Sequence, residues 1–373
     1  MTAEKFLFFT NTPAHVHVYK GLVRRLREDG HDVLVLARDY GCTVALLEYY
    51  DLPHRVYGTL DTTKWSLARQ LPRHYYNIVR YAREFDPDCI FGRGSYAAHA
   101  GALTGATTIL VVDSETDRLD HAISRPFARA ILTPHVFGKD LGPRHYRFRG
   151  FKECAYLHPE TFTPSGDVRE KLGVDDEERY ALVRLNAFGS HHDVGQSGFS
   201  PADRRRLIEE LSDDVTVFVS DEGGHLDFDD LDAEPYDLHP ALMHDALAEA
   251  SLLVADTQTM VAEAALLGTP AVRSNSFVGG TDMRNFVELE AADLIVNHTD
   301  FDAVVDSAHR LLADADAEDR WERRAHDYLS GMVNLTDLLV DVAYSRDEIS
   351  SVAGLTAGTG SRGVDRPGLS SPE

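Results

Sequence analysis

A strand, a polar loop and a helix follow one another near residue 260, and the loop carries side chains suited to a nucleotide. Leu252–Ala255 is an apolar run of strand length, and Met260–Leu267 is predicted to be helical, ended by Gly268 and Pro270. Free backbone N–H groups and the positive end of the helix dipole make such a helix start an anion site. We predict that a nucleotide binds at the loop residues Thr257, Gln258 and Thr259.

Glu263 lies one turn into the same helix, where its carboxylate is placed to bind the two hydroxyls of a ribose. A second interpretation needs no ligand. A threonine before a helix is an ordinary N-cap, and an acid in the first turn stabilises a helix by about 0.3–1 kcal/mol. The residues alone leave both interpretations open.

A second group of candidates lies where a predicted strand, Lys5–Thr10, meets a predicted helix, Ala14–Asp29. His15 is the candidate general base for an acceptor hydroxyl, because an unperturbed imidazole titrates near pH ~6.5. Asn11 and His17 are further candidates for lining a cleft, and a structural role for all three is the alternative. The His-x-His spacing has no accompanying cluster of carboxylates or cysteines, so no metal site is predicted.

Two carboxylates, Asp113 and Glu115, directly follow the predicted strand Ile109–Val112. Such strand ends are common places for catalytic acids and bases, although a solvated turn is the alternative. Arg93 stands between two glycines after the predicted strand Cys89–Phe91. It is expected either to bind a phosphate or carboxylate group or to pair with one of the two acids.

These side chains need elements that bring several strand ends together. Strand–helix–strand units recur along the chain, which predicts parallel sheets. We predict an α/β fold of two doubly wound Rossmann-like domains that face a cleft, with ligands at the carboxyl ends of the strands. The predicted divisions are an N-terminal acceptor-side domain (1–160), a nucleotide-sugar domain (161–335, including a strand at Leu289–Val296), a C-terminal helix (336–349) and a disordered tail (350–373).

The chain has 373 residues, and its 61 acidic and 37 basic side chains give a net charge of −24. This balance argues against nucleic acid or an anionic membrane as a partner. Only six of the basic residues are Lys. An acidic chain rich in Arg over Lys predicts a halophilic protein, since molar salt screens self-repulsion. An ordinary acidic protein is the alternative.

The three cysteines, Cys42, Cys89 and Cys154, share no metal-like spacing and lie in or beside apolar runs. We expect buried thiols in a reducing cytoplasm. No apolar run approaches the ~20 residues that cross a bilayer, so no transmembrane segment is predicted. A cytoplasmic protein is expected, and a membrane-borne acceptor is compatible with that.

Three segments resemble a known group of enzymes. Asp256–Pro270, with its Glu-Ala and Leu-Gly-x-Pro elements, resembles the donor-nucleotide motif of GT-B-fold enzymes. Asp282–Asn285, followed by Leu289-Glu290, is similar to the segment beside the donor sugar in a GT-B transferase. Tyr146–Leu157 resembles a Tyr-x-Gly-x-x-Glu-x-Ala-Tyr-Leu pattern. That pattern is typical of an uncharacterised, largely archaeal family of predicted glycosyltransferases, related to UDP-N-acetylglucosamine 2-epimerases.

The resemblance implies a hexosyltransferase-type glycosyltransferase that moves a sugar from a nucleotide donor, most simply UDP-linked, to an unknown acceptor such as a lipid-linked sugar or glycan. It implies a nucleotide-sugar as substrate and no tightly bound cofactor. Glu263 would then bind the ribose. The residues implied around the leaving diphosphate are Arg184, Asn186 and Arg273, and those around the donor sugar are Asp282 and Asn285. The loop that carries His191 is expected either to close over the cleft or to lie at the surface.

Two departures from these enzymes matter. Gln258 and Thr259 replace a glycine pair, which makes the approach of a phosphate to the backbone more crowded. The epimerases carry a catalytic Asp in the loop where this chain has Arg93, which is neither an acid nor a base there. These differences favour a transferase. A UDP-sugar 2-epimerase and a non-catalytic nucleotide-sugar-binding protein remain as alternatives.

Overall fold

A computed structural model describes residues 3–59, 64–186, 198–224, 226–279 and 282–358, with the backbone alone for residues 64–68. These residues form two sheets of mainly parallel strands, flanked by helices. The predicted α/β class with two doubly wound sheets is confirmed.

The strands are, in chain order, β1 (Lys5–Thr10), β2 (Asp32–Asp39), β3 (His54–Thr59), β4 (Cys89–Gly92), β5 (Thr107–Val111), β6 (Ala130–Pro134), β7 (His145–Phe148), β8 (Tyr180–Leu185), β9 (Thr216–Asp221), β10 (Glu234–Pro235), β11 (Leu252–Ala255), β12 (Ala271–Arg273), β13 (Val296–Asn297) and β14 (Leu355–Ala357). The α-helices are α1 (Pro13–Glu28), α2 (Thr43–Tyr49), α3 (Lys64–Phe85), α4 (Ser95–Thr104), α5 (Arg118–Ser124), α6 (Val168–Leu172), α7 (Pro201–Ser212), α8 (Met243–Ala248), α9 (Thr259–Leu267), α10 (Arg284–Ala291), α11 (Phe301–Ala313), α12 (Ala317–Leu329) and α13 (Leu335–Tyr344). Short 3-10 turns cover Arg125–Phe127, Lys152–Ala155, Pro240–Leu242 and Ile349–Ser351.

The first sheet has the order β14-β7-β6-β5-β4-β1-β2-β3, and the second has the order β10-β9-β8-β11-β12-β13. In both sheets the order reverses beside the first strand, between β1 and β4 and between β8 and β11. Crevices at such reversals are the usual binding places of open α/β sheets. The fold therefore places the loops after β1, β4, β8 and β11 at its two natural binding positions.

The central strands are buried on both faces, which explains their continuous apolar runs. Phe6 to Phe9 of β1 and the whole of Leu252–Ala255 are at most 1% exposed. α1 begins with Pro13, a residue suited to the first helical position, and buries its stripe of Val16, Tyr19 and Leu22. Periodicity in the sequence predicted these elements correctly.

Two predictions about the second half of the chain are wrong. The strand expected over Leu289–Val296 is instead the end of helix α10, followed by the two-residue strand β13. Phe286 and Leu289 are buried three residues apart, as on one helical face, and Asp293 leaves the helix with a left-handed φ of 54°. A short apolar run did not distinguish a helix end from a strand here.

The tail predicted to be disordered from residue 350 is ordered through residue 358. Its strand β14 pairs antiparallel with β7, Leu355 lying opposite Phe148, and Ile349 and Val352 are buried. Gly354 makes the connecting turn with a φ of 83°, in the left-handed region that favours glycine. These few apolar residues are stabilised by a partner strand about 200 residues away in the chain, which no local composition reveals. Residues 359–373 lie outside the described residues.

The chain returns to the first sheet through α13. Thr336 Oγ1 donates to the carbonyl oxygen of Ala155 at 2.7 Å, and Tyr344 Oη donates to Asp29 at 2.6 Å. α13 packs against α1 and the Lys152–Ala155 turn. In the part of the chain that the structure describes, no helix is both long and apolar enough to cross a membrane. Cys89 and Cys154 are buried free thiols as predicted, and Cys42 is a half-buried one.

Candidate functional site

The loop after β1 is held by its backbone and by Asn11. The Asn11 side-chain oxygen accepts from Tyr57 Oη at 2.7 Å, and its carbonyl oxygen accepts from the Arg38 guanidinium at 2.8 Å. The Asn11 backbone N–H donates to Nδ1 of His15 at 3.1 Å. Asn11 therefore organises the loop and orients the His15 ring.

This contact settles the tautomer of His15. Because Nδ1 accepts a hydrogen bond, the neutral ring carries its proton on Nε2. Burial lowers the pKa of His15 to about 3, and the charge of Arg93 adds to the effect while Asp113 opposes it. At neutral pH the ring thus keeps an N–H donor at Nε2, which does not suit the predicted role of general base.

Asp113 follows β5 and is held between two cations. Its carboxylate lies 2.5 Å from Lys152 Nζ and 3.3 Å from Arg93 Nε. The contact with Asp113 is the predicted pairing of Arg93 with one of the two acids Asp113 and Glu115. Arg93 also contacts Asp117 at 2.5 Å. Burial alone would raise the pKa of Asp113, but Lys152 and Arg93 outweigh it and hold the pKa well below its usual range. Asp113 therefore stays ionised and is a poor proton acceptor.

A pocket lies where the carboxyl edge of the first sheet meets the start of α10. From the first half it is lined by Asp113, Glu115, Pro134, Val136, Phe137, Phe151, Lys152 and Glu153, and from the second half by Met283, Arg284 and Asn285. A smaller pocket beside it is lined by His15, Tyr19 and Arg93 and shares Asp113 and Lys152 with the first. The structure thus brings the predicted residues His15, Arg93, Asp113, Glu115 and Asn285 together at one cleft.

Close packing of the loop after β6 forms one wall of this cleft. Glu115 Oε1 accepts from the backbone N–H of Gly138 at 2.8 Å. A Cβ at Gly138 would lie about 2.5 Å from the guanidinium carbon of Arg284, so a side chain there would require the Arg284 guanidinium to move. Glu115 therefore braces a loop that touches the second half of the chain.

Glu153 is the residue that the sequence interpretation missed. It lies in the Lys152–Ala155 turn, is 3% exposed, and has its Oε1 3.7 Å from Lys152 Nζ. Burial raises the pKa of Glu153 to about 7, although Lys152 lowers it in part. A carboxyl group that titrates near neutral pH inside a pocket suits proton transfer. Glu153 is the glutamate of the Tyr-x-Gly-x-x-Glu pattern, and that pattern is the sequence signal that could have identified it.

The loop after β11 is tied to the loop after β8 by Asp256. Its carboxylate accepts from the backbone N–H of Asn186 at 2.7 Å and of Phe199 at 3.2 Å. Burial raises the pKa of Asp256 to about 6, opposed by these N–H groups and by Arg204. Asp256 thus fixes the two loops at the second strand-order reversal.

The start of α9 carries free hydrogen-bonding capacity. Gln258 is the N-cap residue, and no side chain caps the helix. Thr257 is 8% exposed, and its Oγ1 has no hydrogen-bond partner among the described residues. Neither threonine of this loop caps the helix, so the N-cap interpretation does not hold. The uncapped N–H groups at the start of α9 are what the anion-site interpretation requires.

Glu263 and His17 meet in a buried cluster between α1 and α9. Glu263 Oε1 accepts from Tyr156 Oη at 2.8 Å and lies 3.1 Å from His244 Nε2, and the His17 and His244 rings are 4.5 Å apart. Burial raises the pKa of Glu263, but His244 and Tyr156 outweigh it and lower the pKa overall. Burial, with the nearby His244 and Lys20, holds the pKa of His17 well below its usual value.

Arg273 and Asp282 bind each other. The Arg273 guanidinium pairs with Asp282, donates to Asn297 Oδ1 at 2.8 Å and stacks 3.9 Å from the Phe286 ring centre. Arg273 is fully buried. The predicted contact of Arg273 with a diphosphate is thus not possible in this arrangement, and the pair instead anchors the start of α10 beside the pocket.

Arg184 lies at the end of β8. It donates to Ser220 Oγ at 2.5 Å and pairs with Glu222. Asn186 lies just beyond the end of β8, and its carbonyl oxygen accepts a hydrogen bond from the Arg204 guanidinium at 2.8 Å. His191 lies outside the described residues. Among the residues that are described, no group of three or more His, Cys, Asp or Glu is arranged to hold a metal ion.

Comparisons with solved structures identify the architecture. The chain is similar to the UDP-GlcNAc 2-epimerase from Neisseria meningitidis bound to UDP-GlcNAc, with a TM-score of 0.65, 13% identity, and coverage of 91% of this chain and 100% of that one. It is similar to the spinosyn forosaminyltransferase SpnP, with a TM-score of 0.64, 13% identity, and coverage of 94% and 100%. These similarities show the GT-B fold.

The sequence comparisons identify the family. Uncharacterized protein MJ0665 from Methanocaldococcus jannaschii is 22% identical over 281 residues, which are 72% of this chain and 81% of that protein. The family described as "Protein of unknown function (DUF354)" matches residues 4–347. The chain belongs to this family.

Proposed function

We propose that this member of the family is a glycosyltransferase that transfers a sugar from a nucleotide donor, most simply UDP-linked, to an acceptor bound by the first half of the chain. The observation that carries the proposal is the pocket in which Glu153 and Lys152 face Asn285 at the start of α10. The buried carboxyl group of Glu153 and the ammonium group of Lys152 lie there, where the halves of the chain that carry the two doubly wound sheets meet. The similarity to sugar-nucleotide enzymes of the same fold supports the choice of substrate.

The donor diphosphate is assigned to the start of α9. Its negative charge meets the helix dipole and the uncapped backbone N–H groups, and the Thr257 hydroxyl is the unpartnered donor beside it. Both contacts of Glu263 fall on Oε1. Its proposed ribose contact is therefore assigned to Oε2.

Glu153 is the proposed general base. The acceptor oxygen forms a bond to the anomeric carbon, and the bond from that carbon to the diphosphate oxygen breaks, leaving its electron pair on the diphosphate. The acceptor proton passes to Glu153. Such proton transfer by a positioned side chain contributes roughly 10²–10⁴-fold. The Nε2–H group of His15 is the hydrogen-bond donor that His15 offers to a ligand in the adjoining pocket. Asp113 holds Lys152 and Arg93 in place through its two ion pairs.

A UDP-sugar 2-epimerase is the second candidate, favoured by one observation. Glu115 and Glu153 line the same pocket, and epimerisation requires carboxylates on both sides of a sugar ring. Glu115 is engaged with the Gly138 backbone, which disfavours this alternative.

The two activities are separable in one set of measurements. Thermal-shift assays with UDP, GDP and CDP test nucleotide binding, since a ligand that binds only the folded state raises Tm. Incubation with UDP-GlcNAc, followed by proton NMR, then separates inversion at C2 of the sugar from slow hydrolysis, which is the reaction expected of a transferase without its acceptor. A Tm that none of the three nucleotides changes would overturn both candidate functions. Inversion at C2 of the sugar would replace the glycosyltransferase by the epimerase as the better candidate.

A further inference from the structure

Helix α3 presents an arginine-rich stripe to solvent. The exposed residues spaced by three or four positions along one face are Arg69, Arg73, Tyr76, Arg80 and Arg83. Among the described residues no carboxylate forms an ion pair with any of these arginines, and Arg80 lies over the ring of Tyr81. α3 contains five basic residues and one acidic residue in a chain whose net charge is −24. If the acidic and basic residues were spread evenly over this acidic chain, α3 would not carry an excess of basic residues.

Large apolar side chains are exposed beside the stripe. Of the nine such side chains among the described residues, six lie on α3, α4, α5 and the turn after α5, namely Leu71, Tyr76, Leu103, Leu119, Ile123 and Phe127. Leu119 is 76% exposed and Tyr76 is 67% exposed. Exposed apolar residues gathered on one face indicate an interaction site.

These elements form one continuous surface, which we name the α3–α5 face. α4 packs between α3 and α5. Tyr75 Oη contacts His99 Nδ1 at 2.8 Å, and the His99 ring lies 5.4 Å from the Phe127 ring. Arg118 of α5 and Arg125 of the turn that follows it are exposed as well. The face therefore combines arginines and protruding apolar groups on a fixed scaffold.

We propose that the α3–α5 face binds the surface of an anionic membrane. Arginines are attracted to anionic headgroups, and their long side chains reach the interface while leucine, isoleucine and phenylalanine side chains enter the acyl boundary. A purely electrostatic partner such as nucleic acid leaves the apolar side chains without a role. The net charge of −24 argues against an anionic membrane as partner for the molecule as a whole, and this local basic face is the exception to that expectation. The acidic remainder of the molecule is repelled by the membrane surface, which orients the α3–α5 face toward it.

The position of the face gives it a consequence for the pocket. α5 begins at Arg118, three residues after Glu115 of the pocket, and Asp117 between them pairs with Arg93. An acceptor carried in the membrane would therefore reach the cleft along the first half of the chain. That consequence rests on the proposed function, whereas the binding itself does not.

The test is vesicle co-sedimentation of the full chain, which needs no substrate. The probes are vesicles of phosphatidylcholine alone and vesicles with about one third phosphatidylglycerol, at about 0.1 M salt. Arg73→Glu/Arg80→Glu reverses two charges of the stripe. The matched control, Arg205→Glu/Arg323→Glu, makes the same change in net charge at a half-buried residue of α7 and an exposed residue of α12.

The parent and the control are expected to bind anionic vesicles, and the stripe variant is expected to lose about tenfold or more of that partitioning. Leu119→Ser is expected to weaken partitioning severalfold at every salt concentration. Unchanged Tm and circular dichroism show that each variant is folded. Absence of parent binding, or equal losses in both double variants, would overturn the proposal. So would stripe-dependent binding of single-stranded RNA without vesicle binding, which would assign the face to nucleic acid.

Discussion

The ammonium group of Lys152 lies 3.7 Å from Oε1 of Glu153, inside the pocket between the two halves of the chain. Burial raises the pKa of Glu153 to about 7, and Lys152 limits that rise. The proton-accepting form of Glu153 therefore accumulates as the pH increases through about 7.

If Glu153 is the general base, kcat/KM rises with pH through an apparent pKa near 7. Glu153→Gln removes the titrating group, and we expect kcat to fall by roughly 10²-fold or more while the UDP-induced thermal shift stays unchanged. The pH–rate profile and the thermal shift measure the two effects. Glu170→Gln, at an exposed position of α6, is the control and should match the parent in both. A Glu153→Gln variant with parental kcat would contradict the role.

Lys152→Met removes a positive charge that favours ionised Glu153. The pKa of Glu153 should increase, so the rising limb of the profile should move to higher pH by about one unit. Lys152→Arg keeps the charge and should restore most of the parental position. Displacement of the limb to lower pH by Lys152→Met would be the opposite of this expectation.

Thr257→Val tests the proposed diphosphate site at the start of α9. Because the Thr257 hydroxyl has no partner among the described residues, the free energy of unfolding should change by less than about 0.5 kcal/mol. UDP affinity should fall by roughly 10- to 150-fold, since one hydrogen bond to a charged group is worth about 1.5–3 kcal/mol.

Thr269→Val is the reciprocal control for that experiment. The buried Thr269 hydroxyl donates to the carbonyl oxygen of Leu247 at 2.6 Å, so its loss should destabilise the fold by about 1 kcal/mol or more and leave UDP affinity unchanged. Calorimetric titration gives the affinities, and denaturant unfolding gives the stabilities. Equal UDP affinities for Thr257→Val and the parent would remove the hydroxyl from the site.

The buried pair of Arg273 and Asp282 predicts strong coupling. Arg273→Met leaves a buried carboxylate without its cation and should lower the free energy of unfolding by about 3–5 kcal/mol. Adding Asp282→Asn should recover part of that loss, because no charge is then left unpaired. Denaturant unfolding of both single variants and the double variant measures the coupling. Additive effects would show that the two residues act independently.

Salt dependence tests the predicted halophilic character. With 61 acidic and 37 basic residues, self-repulsion should be screened as KCl rises from about 0.1 M into the molar range, and Tm should increase. Sucrose at matched osmolality controls for general exclusion effects. A Tm that is constant or falls with KCl would leave the chain an ordinary acidic protein.

Local patterns were sufficient for most elements. A C-terminal helix was predicted over 336–349, and α13 covers Leu335–Tyr344, where the buried residues recur at helical spacing. β14 was missed because three residues of a Gly- and Ser-rich tail become a strand only when β7 is beside them. Elements that depend on a distant partner leave no periodic signal.

The candidate site was predictable in its position and less so in its chemistry. Parallel strands end at one edge, so polar residues after β1, β4 and β5 had to meet, and His15, Arg93 and Asp113 do line one pocket. Which group can transfer a proton depends on burial and on neighbouring charges. Burial lowers the pKa of His15, and two neighbouring cations outweigh burial and lower the pKa of Asp113. Burial raises the pKa of Glu153 to about 7, so Glu153 is the better candidate.

Short-range periodicity and turn chemistry are enough to specify the α/β class, the alternation of strands and helices, and the loops that carry polar side chains. Three further properties follow from the folded structure: the proton on Nε2 of His15, the pairing of Arg273 with Asp282, and the exposed basic stripe on α3 of an acidic chain. Each of these depends on which groups meet across the fold, because hydration, pairing and pKa are properties of a side chain's surroundings and not of its place in the chain.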